Sequence, residues 1–158
     1  MDNVILTAIF DKLKKVESQQ NQEFEFVETI TVSEEDVVVI ERTQEPNGTA
    51  YCFKDVIVNF EFEASDTTTY LLCYANNLGV ASIGNLVNTT KQYSTLQIKL
   101  DKGFLFSEYQ VEAIATASSA VRARNLELRA VEDITSLKFT CSVPIPVGSK
   151  ITIYAIRK

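Results

Sequence analysis

Glu61 and Glu63, at alternate positions of the apolar run VIVNFEFE, are the residues whose type comes closest to bond-breaking chemistry. Two acids can hydrolyse a glycosidic linkage when one stays protonated and the other ionised across the bond. At i and i+2 of a strand, however, both project from one surface of a sheet, the ordinary place for solvated side chains that keep it soluble. A second acidic group, Glu34-Glu35-Asp36, lacks the alternating ligands and glycine bend of a calcium loop and reads as a charged turn. Histidine is absent, which removes Ser-His, Cys-His and His-metal chemistry. Cys52, Cys73 and Cys141 form no C-x-x-C pair and sit in apolar or alternating stretches, so they read as small buried hydrophobes of a reduced protein. No catalytic, cofactor-binding or metal-ligating residue is assigned, and the expectation is a non-enzymatic chain that uses no cofactor.

Binding chemistry has more to work with. A glycan site on a β-sandwich needs aromatic faces and converging polar groups. Tryptophan is absent, so the aromatic candidates are Tyr51, Tyr70, Tyr74, Tyr93, Tyr109 and Tyr154, with Asn59, Asn76 and Asn77 as amides. Several of these tyrosines must be core, and spacing alone does not sort them into a cluster. Lys and Arg total 15 against 21 Asp and Glu, and the net charge of -6 repels a phosphate backbone, so no nucleic-acid partner is expected. No run approaches the ~18 apolar residues of a membrane span. The opening MDNVILTAIFDKLKK is acidic at Asp2 and reads poorly as a secretory signal, which points to folding in a cytoplasm.

These groups must be carried by elements. The chain has 158 residues, 46% of them apolar, which is room for one domain with a real core. Residues 3–18 carry Leu6, Ile9, Leu13 and Val16 on one helical face, with charged residues opposite and the polar linker SQQNQ following at 18–22. The expected division is therefore a helix or arm, residues 1–22, for oligomerisation or docking, and a sandwich over 23–158. From Glu23 the period is two, with Phe24, Phe26, Ile30 and Val32 on the inward side. Further strands are expected at 37–42, 56–63, 67–74, 93–100, 126–131, 135–143 and 150–157, and the Glu45-Pro46-Asn47-Gly48 turn is expected to join two antiparallel strands. Residues 107–124 fit both a helix and a strand; the strand-then-loop reading agrees better with an otherwise β chain. The expected fold is all-β, a jelly-roll-like antiparallel β-sandwich preceded by a short N-terminal α-helix.

The segment Ile134-Thr135-Ser136-Leu137-Lys138-Phe139, followed by Pro144-Ile145-Pro146-Val147-Gly148-Ser149-Lys150-Ile151-Thr152-Ile153-Tyr154-Ala155-Ile156-Arg157-Lys158, resembles the closing hairpin of jelly-roll domains in tailed-phage fibre, appendage and decoration proteins. That family pattern is an I-T-S-I/L strand, a loop, then G-S/T-x-I-x-I-Y-G; here Ala155 stands at the final glycine. The resemblance implies a non-catalytic structural component of a tailed-bacteriophage virion, a capsid decoration or head- or tail-fibre protein assembled in the host cytoplasm. It implies a homo-oligomer, with a trimer favoured, joined through Leu6, Ile9, Leu13 and Val16 to its own copies or to capsid or tail proteins. The alternative is a receptor-binding adhesin that recognises host surface glycan.

Overall fold

The computed structural model describes residues 7–11, 23–65, 69–86, 91–101, 103–113, 118–126 and 131–158. Its strands are β1 (Glu25–Thr31), β2 (Val39–Arg42), β3 (Phe53–Phe62), β4 (Thr69–Ala75), β5 (Leu78–Leu86), β6 (Gln92–Asp101), β7 (Phe104–Ala113), β8 (Ser118–Leu126), β9 (Leu137–Cys141) and β10 (Lys150–Arg157). They form a six-stranded sheet in the order β1-β10-β3-β6-β7-β8 and a four-stranded sheet in the order β2-β9-β4-β5. The pairing is nested: β1 with β10, β2 with β9, β3 with β6 and β4 with β5, all antiparallel. A ribbon folded back on itself and wound into two layers gives this order, which is the jelly roll. The β7–β8 hairpin is an insertion that widens the larger sheet at its far edge.

Alternation explains which side chains meet. Along β3 the inward positions Val56, Val58, Phe60 and Phe62 are buried, and Asn59 between them is exposed. Leu71, Cys73 and Ala75 of β4, Phe139 of β9, Leu96 and Ile98 of β6, and Ile151, Ile153 and Ala155 of β10 complete the shared interior. Phe60 of the larger sheet meets Phe139 of the smaller edge-on, with ring centroids 5.2 Å apart and planes at 84°. Truncating such a buried ring to alanine typically costs ~3–5 kcal/mol.

The structure corrects several expectations. β9 and β10 are no hairpin: they lie in different sheets, and the loop between them crosses the sandwich. Pro144 and Pro146 in that loop lack an N–H for a ladder, while Ile145 N donates to Val37 O and Gly148 N to Val32 O, which fastens the crossing. The Pro46-Asn47-Gly48 turn closes as expected, with Gly48 at φ 87° and Gly48 N donating to Glu45 O. It joins only the isolated bridge Gln44–Ala50, after which the flanking strands part to opposite sheets. Residues 104–113 and 118–126 are both strands, so within the ambiguous stretch residues 107–113 are extended as expected and residues 118–124 belong to β8 rather than to a loop. The strand expected at 126–131 is not formed at Val131, and β5, rich in small residues, went unrecognised.

Phe26 is the most informative correction. A bulge between Phe26 and Glu28 in the β1–β10 ladder shifts the phase of the strand. Phe26 therefore turns outward, 59% exposed, while Val27 and Glu28 both become buried. The buried Glu28 carboxylate accepts hydrogen bonds from Tyr51 Oη at 2.5 Å and from Arg42 Nε at 3.3 Å, which links β1 to β2 at the open edge between the sheets. Burial first, then that carboxylate, pushes the Tyr51 hydroxyl far above its ordinary pKa. Beside this cluster Arg157 forks onto Glu45, with Nε–Oε1 at 3.0 Å and Nη2–Oε2 at 2.8 Å, and also pairs with Glu25.

Of the cysteines only Cys73 is fully buried; Cys141 is half-buried and Cys52 exposed, because alternation between buried Tyr51 and Phe53 turns it outward. Residues 7–11 are helical, and Ile9 is 53% exposed there. Leu6, Leu13 and Val16 lie outside the described residues.

Candidate functional site

The outward positions of β10, β3 and β6 fall into register and build a continuous surface. Thr152 lies opposite Asn59, which lies opposite Thr95; Tyr154 lies opposite Ile57, then Gln97; Lys150 lies opposite Glu61, then Tyr93. Because adjacent strands are ~4.8 Å apart and outward residues recur every second position, this produces a grid of side chains on one face. A groove of about 380 Å³ opens on it, lined by Asn59, Glu61, Tyr93, Thr95, Thr152 and Tyr154, with buried Phe60 and Ser94 at its floor.

The groove has an ordered polar middle between two rings. Thr95 Oγ1 donates to Asn59 Oδ1 at 3.1 Å, and Thr152 Oγ1 shares a hydrogen bond of 3.1 Å with Thr29 Oγ1 on β1. Tyr154 is braced by the edge of Phe26, with centroids 6.0 Å apart and planes at 71°. The bulge that exposes Phe26 therefore serves the ring beside it.

Charge at the groove is compensated. Lys91 Nζ pairs with Glu61 and, at 3.0 Å, with Glu63. The lysine's hydrogen bond holds the Glu61 carboxyl below the usual glutamate range, with smaller help from its charge and from Lys150. The two carboxylates raise Lys91 in turn. Just beyond Gln97 lies Asp55, only 8% exposed. Burial raises its pKa even though Gln97 Nε2 donates to its two oxygens at 3.2 and 3.3 Å.

Of the candidates named from sequence, Asn59, Glu61, Tyr93 and Tyr154 come together here. The other tyrosines and amides lie elsewhere. Tyr51 is buried against Glu28, Tyr109 packs against the core, and the Tyr74 ring lies 4.7 Å beneath Lys138 Nζ. Asn76, at φ 50°, donates to Asp133 O and accepts from Thr135 N at 2.8 Å, fixing the β4–β5 turn. Asn77 in the same turn accepts from Lys138 at 3.5 Å. Tyr70 stands exposed at the start of β4, on the other sheet. Glu61 and Glu63 share a face as expected, held by one lysine. Reading the sequence by element missed Thr95, Thr152 and Phe26; the signal lay in register across β1, β10, β3 and β6, which periodicity within one strand does not carry.

Among the described residues no group of His, Cys, Asp and Glu is arranged to hold a metal ion, and no helix is long and apolar enough to cross a membrane. No protein-family model matches the chain, and no curated protein matches it. Among solved structures, it is similar to the CBM2 module of the evolved Dit of Lactobacillus casei BL23 phage J-1, at 10% identity and a TM-score of 0.38 over 86% of this chain and 80% of that one. It is also similar to scytalido-glutamic peptidase crystallised with a transition state analog inhibitor, at 10% identity and a TM-score of 0.27 over 77% of this chain and 65% of that one. At these values neither likeness fixes a function.

Proposed function

We propose that this chain is a non-catalytic sandwich component of a tailed-phage virion, of decoration or fibre type, that holds host surface glycan on the outer face of its six-stranded sheet. The observation that carries the glycan reading is the groove in which Tyr93 and Tyr154 flank Asn59, Thr95 and Thr152, with Glu61 beside them. Sugars present apolar C–H faces and rows of hydroxyls, and this groove offers rings for the first and paired donors and acceptors for the second. The virion reading is supported by the resemblance of residues 134–158 to phage jelly-roll domains. Assembly into a homo-oligomer, or onto capsid or tail proteins, is assigned to residues 1–22 through Leu6, Ile9, Leu13 and Val16.

Two experiments test the proposal. The intact protein on an array of bacterial surface glycans is expected to bind reproducibly at micromolar to millimolar affinity. No binding would leave a purely architectural component. Leu13→Asp in the full chain is expected to lower the molar mass in solution while leaving the thermal transition of the sandwich in place; an unchanged mass would remove the assembly role.

A further inference from the structure

We infer that the groove takes an uncharged polysaccharide as an internal, extended segment, lying obliquely from Tyr154 on β10 to Tyr93 on β6 with Asn59 beneath its middle. This rests on the glycan reading above and adds the ligand's charge, length and direction.

Length and direction come from the register. Tyr154 aligns with Ile57 and Gln97, and Tyr93 lies four residues from Gln97 on β6. The two rings are thus two strand spacings apart across the sheet and four residues apart along it, a diagonal of about 17 Å, which about three to four sugar rings span. Between them stand Thr152, Asn59 and Thr95, short polar side chains that leave the line open. The site lies on a sheet face, and the Thr29–Thr152 pair continues the polar row beyond the groove toward β1. Such a surface grips a chain along its length, and none of the described residues lining the groove closes it at an end to read a terminal sugar.

Charge excludes the other ligand classes. Among the described residues Glu61 is the charged one lining the groove, and Lys91 engages it while Lys150 faces it across the strand pair. An anionic polysaccharide meets a protein of net charge -6 and, in Lys91, a lysine already paired with Glu61 and Glu63. A cationic amino sugar meets a carboxylate already compensated. Sugar hydroxyls need only the lone pairs that Glu61 keeps while paired, since a carboxylate accepts several hydrogen bonds. Lys91 is then a positioning residue, which holds Glu61 ionised and in place as an acceptor for a hydroxyl.

The test uses the full chain on neutral and acidic bacterial polysaccharides, then calorimetric titration with oligosaccharides of increasing length cut from the strongest binder. Neutral chains are expected to bind, affinity is expected to rise about tenfold between two rings and four, a gain of about 1.4 kcal/mol, and chemical capping of either chain end is expected to change nothing. Tyr93→Ala and Tyr154→Ala are each expected to weaken binding with the fold intact by circular dichroism. Lys91→Met is expected to move the acidic limb of the binding–pH profile upward, because Glu61 then protonates more readily. Preference for acidic chains, a single sugar binding as tightly as four, or indifference to both tyrosine changes overturns this inference while leaving glycan binding itself in place. A binding–pH profile that Lys91→Met leaves unmoved overturns the role given to Lys91. No binding to any polysaccharide overturns both.

Discussion

The six-stranded sheet turns Thr152, Tyr154, Asn59, Tyr93 and Thr95 outward, whereas the four-stranded sheet turns out Val39, Leu72, Tyr70, Tyr74 and Lys138. Both sheets drive their alternate residues into one core, so the difference lies entirely in the positions that folding leaves free. On the smaller sheet the aromatic Tyr74 is already covered by Lys138, and Val39 and Leu72, 50% and 39% exposed, offer no hydrogen bond. On the larger sheet two rings stand apart with hydroxyls and an amide between them. A sugar is gripped where ring faces and hydrogen-bonding groups line one groove; among the described residues the larger sheet has such a groove, whereas on the smaller sheet Thr140 stands between the apolar Leu72 and Val39.

The comparison can be broken at its root by removing what the faces share. Phe139→Ala opens a cavity against Phe60 and is expected to cost about 3–5 kcal/mol, lowering the urea midpoint and with it binding on the far face. Next in size is the contrast between the faces themselves. Tyr154→Ala is expected to weaken glycan binding about tenfold, as loss of one stacked ring worth ~1 kcal/mol or somewhat more implies; Leu72→Lys is expected to leave it unchanged in the same titration. Equal losses from both would mean that the two faces do not differ in function.

The smallest effect concerns Asp55, at the margin of the groove. Because burial raises its pKa, the folded protein binds this proton more tightly than the unfolded chain does. The stability from that proton is complete below the ordinary aspartate pKa and is lost as pH rises through the raised value. Asp55→Asn is therefore expected to raise Tm at pH 7, with the gain shrinking to nothing as pH falls. A difference independent of pH would show that Asp55 contributes through packing alone.

Much of the frame could be read from sequence because it rests on local alternation. The runs at 56–63, 93–100 and 150–157 are strands at close to the expected bounds, and the positive-φ turn at Gly48 follows from Pro46-Asn47-Gly48. What escaped depends on partners distant in the chain. Phe26 reads as core by alternation, and only the ladder to β10 reveals the bulge that exposes it. The resemblance of residues 134–158 implies a closing hairpin, yet nested pairing sends β9 and β10 to different sheets. Asn59, Tyr93 and Tyr154 were legible as types but not as a set, since the register that joins them spans residues 59 to 154. Burial of Glu28 was equally invisible, being set by Tyr51 and Arg42 on other segments.

The most direct test of the central claim is an NMR titration of the assigned full chain with a neutral polysaccharide fragment of about four rings, the length that the strand geometry sets. The amide and side-chain signals of Asn59, Glu61, Tyr93, Thr95, Thr152 and Tyr154 are expected to shift together with one dissociation constant, while those of Val39, Leu72 and Lys138 stay still. Shifts confined to the four-stranded sheet or to the loops, or none at saturating fragment, would contradict the account.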